Sequence, residues 1–439
     1  MTTRRQALGA LMLPAIPGAC ASRTQWVGPA PGAARVPPPP GRGSPHDIAR
    51  NEDYWAEVAR AFTIDRSSIN LNNGGVSPSP AIVQEAMSRH LAVANSTPTW
   101  QALTSAVAAQ REAVRQRLAA HWGVDAEEIA LTRNTSEGLE TVQLGIDLAR
   151  GDEVLATDHD YPGMLMTFRQ RERREGIVLR QFKLPIPAAD DPARMVALYE
   201  ANITPRTRLI LVTHVINFTG QVMPVREIAD MARKRGIAVM VDGAHSFAHF
   251  DFKISDLGCD YFATSLHKWL FAPHGTGLLY VRRDKIRGLW PLMAASPKMD
   301  DDIRKFEQVG TRPAANTLAI AEALTFHQAI GGARKEARLL YLRDTWTKRL
   351  LATGRVKMLS SLKPAPPRVA SSLAMIDVDG IDPGKLAAYL WEKHRIHTAG
   401  IIFDPFRGLR VTPSVYTTLE ELDRFCTVME KVIKNGLPA

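Results

Sequence analysis

One lysine stands out for its neighbours. In "SLHKWLFAPHGTGLLYV" (residues 265–281), Lys268 lies between Leu266 and Trp269, in an apolar run leading to a turn with Gly275 and Gly277. A lysine that only faces water does not need such neighbours, so its amine is a candidate for chemistry. Asp242 ends the apolar run "IAVMVD" and precedes Gly243, Ala244 and His245. A carboxylate there needs a cationic or N–H partner, because an unpaired buried charge is costly. Thr135 and Ser136 follow the run "EIALTRN" and open a helical pattern, where hydroxyls and free N–H groups suit an anion. Asn217 follows "VTHVI". Each residue also suits a structural role: Thr135 and Ser136 as a helix cap, Asn217 as a turn residue, Asp242 as an N-cap or ion pair, Lys268 as an exposed amine. Together they fit one chemistry. A lysine amine forms a Schiff base with an aldehyde, an aspartate holds a pyridine nitrogen protonated, and small donors grip a phosphate. Those are the needs of pyridoxal 5′-phosphate (PLP).

Such residues must be delivered by the ends of strands. Strands are predicted at 128–134, 152–158, 207–215, 237–245, 259–268 and 275–283, with helices over 135–149, 161–175 and 225–236. This alternation predicts an α/β fold with a mostly parallel central sheet covered by helices on both faces. Ligands of such sheets bind at the carboxyl ends of the strands. After about Ala315 the pattern changes to long helices (316–330, 332–353, 383–394, 419–434) and short strands, one of them over 395–401. That reads as a smaller C-terminal α+β domain.

The chain has 439 residues, 45% hydrophobic and 23% charged, enough for a sizeable core in one large or two medium domains. Its net charge of +10 is spread over segments such as "RQRERREG" and "RKRG", with no basic stripe interleaved with aromatics, so nucleic acid is not an expected partner. The N-terminal "TRRQALGALMLPAIPGACAS" carries Arg4 and Arg5, a short apolar run and small residues, as twin-arginine export signals do. The run is too short for a stable membrane span. Ala19 and Ala21 fit a cleavage site; Cys20 suggests a lipoprotein, but Pro17 stands where a lipobox has an aliphatic residue. A periplasmic location and the twin-arginine machinery as a partner are expected. Beyond the signal only Cys259 and Cys426 remain, which make no disulfide framework, and no metal-ligand spacing is present.

At "THVINFTGQVMPV" (213–225), "VDGAH" (241–245) and "SLHKWLFAPHGTGLLYV" the chain resembles the class V aminotransferase family of fold-type I PLP enzymes, over about Ile69 to the C-terminus. The resemblance implies roles. Lys268 carries PLP and moves protons, Asp242 pairs with the pyridine nitrogen, and His245 lies beside the ring. Ser265, His267, Thr135 and Ser136 hold the phosphate, and Asn217 reaches the phenolic oxygen. Tyr161 in "TDHDYPG" takes the ring-stacking position and is a candidate second acid. Thr311 in "QVGTRP" reaches a neighbouring subunit's phosphate, implying a homodimer. Arg410 in "GLRVTPSVYTT" clamps a substrate carboxylate, and Asn72 and Asn73 line the substrate pocket.

The implied domains are a signal (1–21), a Pro/Gly-rich linker (22–46), a segment packing on the small domain (47–80), a large PLP-binding domain (81–315) and a small domain (316–439). "LNNGGVSPSP" and "HDYPG" resemble the isopenicillin-N-epimerase-like branch. The expected activity is that of an aminotransferase or epimerase acting on an amino acid, or an amino-acid residue of a small peptide. A selenocysteine or cysteine-sulfinate lyase, and a non-catalytic exported binding protein, are the alternatives. No cysteine lies between Cys259 and Cys426, where the family's cysteine desulfurases need a nucleophile.

Overall fold

Strands β1 (Ile69–Asn70), β2 (Ile129–Thr132), β3 (Glu153–Thr157), β4 (Val178–Phe182), β5 (Thr207–Thr213), β6 (Ala238–Asp242), β7 (Tyr261–Ser265) and β8 (Gly277–Val281) precede the small-domain strands. Those are β9 (Val356–Met358), β10 (Ala374–Val378), β11 (Ile396–His397), β12 (Ala399–Phe403) and β13 (Phe406–Val411). The structure is a computed structural model that describes residues 37, 41–96, 98–99, 107–186, 190–363, 368–404 and 406–438. The expected export signal and most of the expected linker lie outside the described residues.

Seven strands form the central sheet in the order β2-β8-β7-β6-β5-β3-β4. Its pairs are parallel except those of β8, which runs against both β2 and β7. Strand composition explains the layering. Leu209 and Leu211 of β5 and Met240 of β6 join the core on one face, while Ile210, Val212, Val239 and Val241 join the core on the other. A strand buried on both faces must be apolar at every position, which is why β5 and β6 read as unbroken runs. Helices Thr135–Gly145 and Pro162–Glu175 cover the first face, and helix Val225–Arg233 packs on the second. Gly138 allows the first helix to lie close: a Cβ there would sit 2.7 Å from Cβ of Ala263.

β4 and helix Pro192–Asn202 were not expected from the sequence. β4 is an edge strand with partly exposed, polar positions, "VLRQF", and lacks the apolar run that marks its neighbours. The small domain is an antiparallel sheet, β12-β13-β10-β9, with a core built from helices Gly332–Leu351, Pro383–His394 and Leu419–Asn435. The single strand expected over 395–401 is two strands in different sheets. β11 pairs in parallel with β1, and β12 pairs with β13. The β1–β11 pair ties the segment before the large domain to the small one. Among the described residues no helix is long and apolar enough to cross a membrane.

Candidate active site

β2, β3, β5, β6 and β7 point the same way, and all five end at one edge of the sheet. The residues following them line a cavity of about 370 Å³, within the roughly 300–1,000 Å³ of small-molecule sites. Thr135 and Ser136 come from β2, Tyr161 from β3, Asn217 from β5, Asp242 and His245 from β6, and Ser265, His267 and Lys268 from β7. Arg410 enters from β13 of the small domain. In a larger cleft of about 590 Å³ beside helix Pro45–Ala49, Arg368 pairs with Glu336 and Arg343 with Asp344.

At the centre, Nζ of Lys268 lies 3.3 Å from Nε2 of His245. Burial pulls the Lys268 amine down to about 8; Asp242 opposes the shift and Arg410 adds to it. Burial raises the Asp242 carboxyl, against the Ala244 N–H, which donates to it at 2.9 Å, and the charge of Lys268. His245 is held well below its usual range by burial and then by Lys268, so it is neutral beside the lysine. Gly243 sets the turn between these residues, because a Cβ there would meet Cζ of Phe262 at 2.0 Å.

At one end of the cavity, helix Thr135–Gly145 begins, capped by Asn134, whose side chain accepts the Glu137 N–H at 2.8 Å. Thr135 meets Ser265 twice: its N–H donates to Oγ at 3.0 Å, and the two hydroxyl oxygens are 2.7 Å apart. Nδ1 of His267 lies 3.2 Å from the Thr276 carbonyl oxygen, and burial followed by Lys268 pulls this ring down to about 4, leaving it neutral. A helix N-terminus with two clustered hydroxyls is a site for a phosphate.

At the other end, Arg410 donates from Nη1 to the Asn217 carbonyl and from Nη2 to Oδ1 of Asn72, both at 2.8 Å. Its Nε is buried without a partner. Burial lowers Arg410 to about 10, a guanidinium poorly solvated and suited to an anion.

Three residues assigned to the site from sequence are not on the cavity wall. Asn72 instead accepts a hydrogen bond from Arg410, which does line the wall. Asn73 is fully buried and its amide donates to the carbonyls of Asn70 and Thr412, while its Oδ1 accepts from Tyr416, so its side chain is committed to the β1 turn instead of to a ligand. Thr311 is exposed and away from the cavity of its own chain. Tyr161 does line the cavity, 45% exposed, at the start of helix Pro162–Glu175.

Sequence reasoning passed over Gly74, Met164 and Thr213 on the wall, and Asp160 behind it. Asp160 is buried, pushed up to about 6 by burial, and accepts from N–H and hydroxyl of both Thr157 and Thr213. It locks the ends of β3 and β5 together. Its place right after a strand was the available signal.

The residues present fit PLP. Oδ1 of Asn217 and Nδ1 of His245 are buried polar atoms without partners, of the kind a bound polar ring would satisfy. The amine, the buried carboxylate and the helix N-terminus share one cavity. This parallel-sheet fold and site define a fold-type I PLP-dependent enzyme. Residues 69–425 match the family described as aminotransferase class-V, and the chain belongs to that family.

The chain is 32% identical to isopenicillin N epimerase of Streptomyces clavuligerus, over 86% of this chain and 98% of the relative. It is 28% identical to a probable cysteine desulfurase of Methanothermobacter thermautotrophicus, over 79% of this chain and 85% of that one. A solved structure of a C-DES variant with glycine covalently linked to its PLP cofactor superposes with a TM-score of 0.73 at 25% identity, covering 83% of this chain and 96% of that one.

Proposed function

We propose that this enzyme removes and returns the α-proton of an amino acid, or of an amino-acid residue in a small peptide, as an epimerase or aminotransferase, after export through the twin-arginine route. Bound PLP supplies an electron-withdrawing ring that makes the α-proton removable at neutral pH. Thr135, Ser136, Ser265 and His267 would hold its phosphate, Asp242 its ring nitrogen, and Lys268 its aldehyde carbon. Lys268 is suited to moving the proton, since an amine at about 8 both accepts and releases one near neutral pH. Arg410 would fix the substrate carboxylate, its guanidinium already aimed by Asn217 and Asn72. Tyr161, on the wall and open to solvent, is the candidate to return a proton from the other face. Arg4 and Arg5 support export, and Thr311, exposed and away from its own cavity, supports a homodimer that shares sites.

The observation that carries this reading is the Lys268 amine in one cavity with Asp242 and Arg410. Cysteine desulfuration is disfavoured. Among the described residues Cys259 and Cys426 are free, sit in different cores, and are pushed up to about 12 by burial. The test is proton NMR in deuterium oxide over a panel of L- and D-amino acids and small peptides, scoring α-hydrogen loss, inverted isomer and keto acid. Exchange that disappears in Lys268→Ala supports the proposal. Release of sulfur or another β-substituent, without inversion or keto acid from any simple α-amino acid, contradicts it.

A further inference from the structure

Lys335, on helix Gly332–Leu351, has no part in the reading above, yet it is fully buried. Its Nζ donates to the carbonyl of Trp269, the residue directly after Lys268. The same Nζ lies 4.0 Å from the centroid of the Phe271 ring. Burial pushes the Lys335 amine well below the usual lysine range, opposed by Asp251, but the carbonyl contact needs only an N–H, which either protonation state supplies.

The segment it touches is strained. Phe271 has φ +63° and is fully buried. A bulky residue in the left-handed region is disfavoured and persists only where its surroundings over-determine it. The surroundings here do so. The Trp269 ring stacks on His249 at 3.9 Å. The Ala272 N–H returns to the Leu266 carbonyl at 3.1 Å, closing a loop around Lys268, and the Ala272 carbonyl accepts from Ser79 at 3.1 Å. Lys335 engages the loop at both Trp269 and Phe271.

We infer that Lys335 is a positioning residue for Lys268: it holds the Trp269 carbonyl and the Phe271 ring so that the turn aims the Lys268 amine into the cavity. The inference rests on Lys268 being the lysine that carries PLP. A misplacement of about 1 Å at a reacting group can cost on the order of 100-fold in rate, so loss of the contact would show in how fast Lys268 captures the aldehyde.

The test compares wild type with Lys335→Met on two probes. One is the rate at which added PLP enters a borohydride-reducible adduct at Lys268, followed by mass spectrometry. The other is the affinity for pyridoxine 5′-phosphate, which lacks the aldehyde and reports only on the cavity. The expected result is capture slowed about tenfold or more with unchanged pyridoxine 5′-phosphate binding. Capture at the wild-type rate overturns the inference, as does a parallel loss on both probes, which marks general damage to the cavity. If Lys335→Met does not fold, Phe271→Leu, which removes the ring beneath the amine and keeps apolar bulk, is read by the same two probes and the same criteria. A wild-type protein with no adduct at Lys268 defeats the underlying reading and this inference together; an adduct formed equally fast in the variants defeats the inference alone.

Discussion

Nε2 of His245 stands 3.3 Å from Nζ of Lys268, a neutral imidazole against an amine whose own proton is loosely held. The contact is made by two strand ends, β6 and β7, which pair in parallel from Met240–Tyr261 to Asp242–Ala263. Sheet register thus sets which groups share the amine's surroundings, and the chemistry follows from it.

The first consequence is a pH dependence. The free amine, not the ammonium, attacks an aldehyde. Burial takes Lys268 from the usual 10.5 down to about 8. PLP capture by the cofactor-free protein should therefore rise with pH up to about 8 and then level off. Stopped-flow absorbance between pH 6 and 10.5 checks this. A rate that climbs without a break to pH 10 would show an unperturbed amine.

Asp242→Asn should fold normally, because the amide keeps the side chain's shape and an acceptor for the Ala244 N–H. It removes the charge that faces the cavity. A drop of roughly 100- to 1,000-fold in kcat is expected, the scale of deleting a preorganised electrostatic group. Steady-state kinetics with a matched thermal melt would separate this from unfolding.

Arg410→Lys keeps a positive charge but loses the fork that engages Asn217 and Asn72 at once. KM should rise about 10- to 100-fold, since a charge-assisted hydrogen bond is worth about 1.5–3 kcal/mol. The effect on kcat should be smaller. Substrates whose α-carboxylate is replaced by an amide should show no difference between wild type and variant.

Gly243→Ala places a methyl 2.0 Å from a ring carbon of Phe262, just past the end of β6 and next to Asp242. Overpacking of this kind costs about 1–3 kcal/mol. A melting temperature lowered by several degrees is expected in a scanning fluorescence measurement, with loss of PLP affinity because the turn carrying His245 must move.

Much of the cavity was legible in the sequence because its residues sit directly after apolar runs. Asp242 ends a buried strand, and Lys268, Thr135 and Asn217 each come shortly after one; ligands of open α/β sheets gather there. The edge strand β4 was not legible, since one exposed face breaks the apolar run that marked the others. The 395–401 segment read as one strand because only pairing partners, β1 for one half and β13 for the other, reveal the break. Asn73 read as a ligand-facing amide because sequence cannot show that Asn70, Thr412 and Tyr416 already satisfy it. Lys335 was invisible for a similar reason: its partner, Trp269, is 66 residues away.

The most direct measurement is peptide mapping after borohydride reduction of the PLP-loaded protein. A single phosphopyridoxyl group on the peptide carrying Lys268, absent in Lys268→Ala at an unchanged melting temperature, is the expected result. A label on any other lysine, or a folded protein that takes up no PLP at all, would contradict the assignment of this cavity.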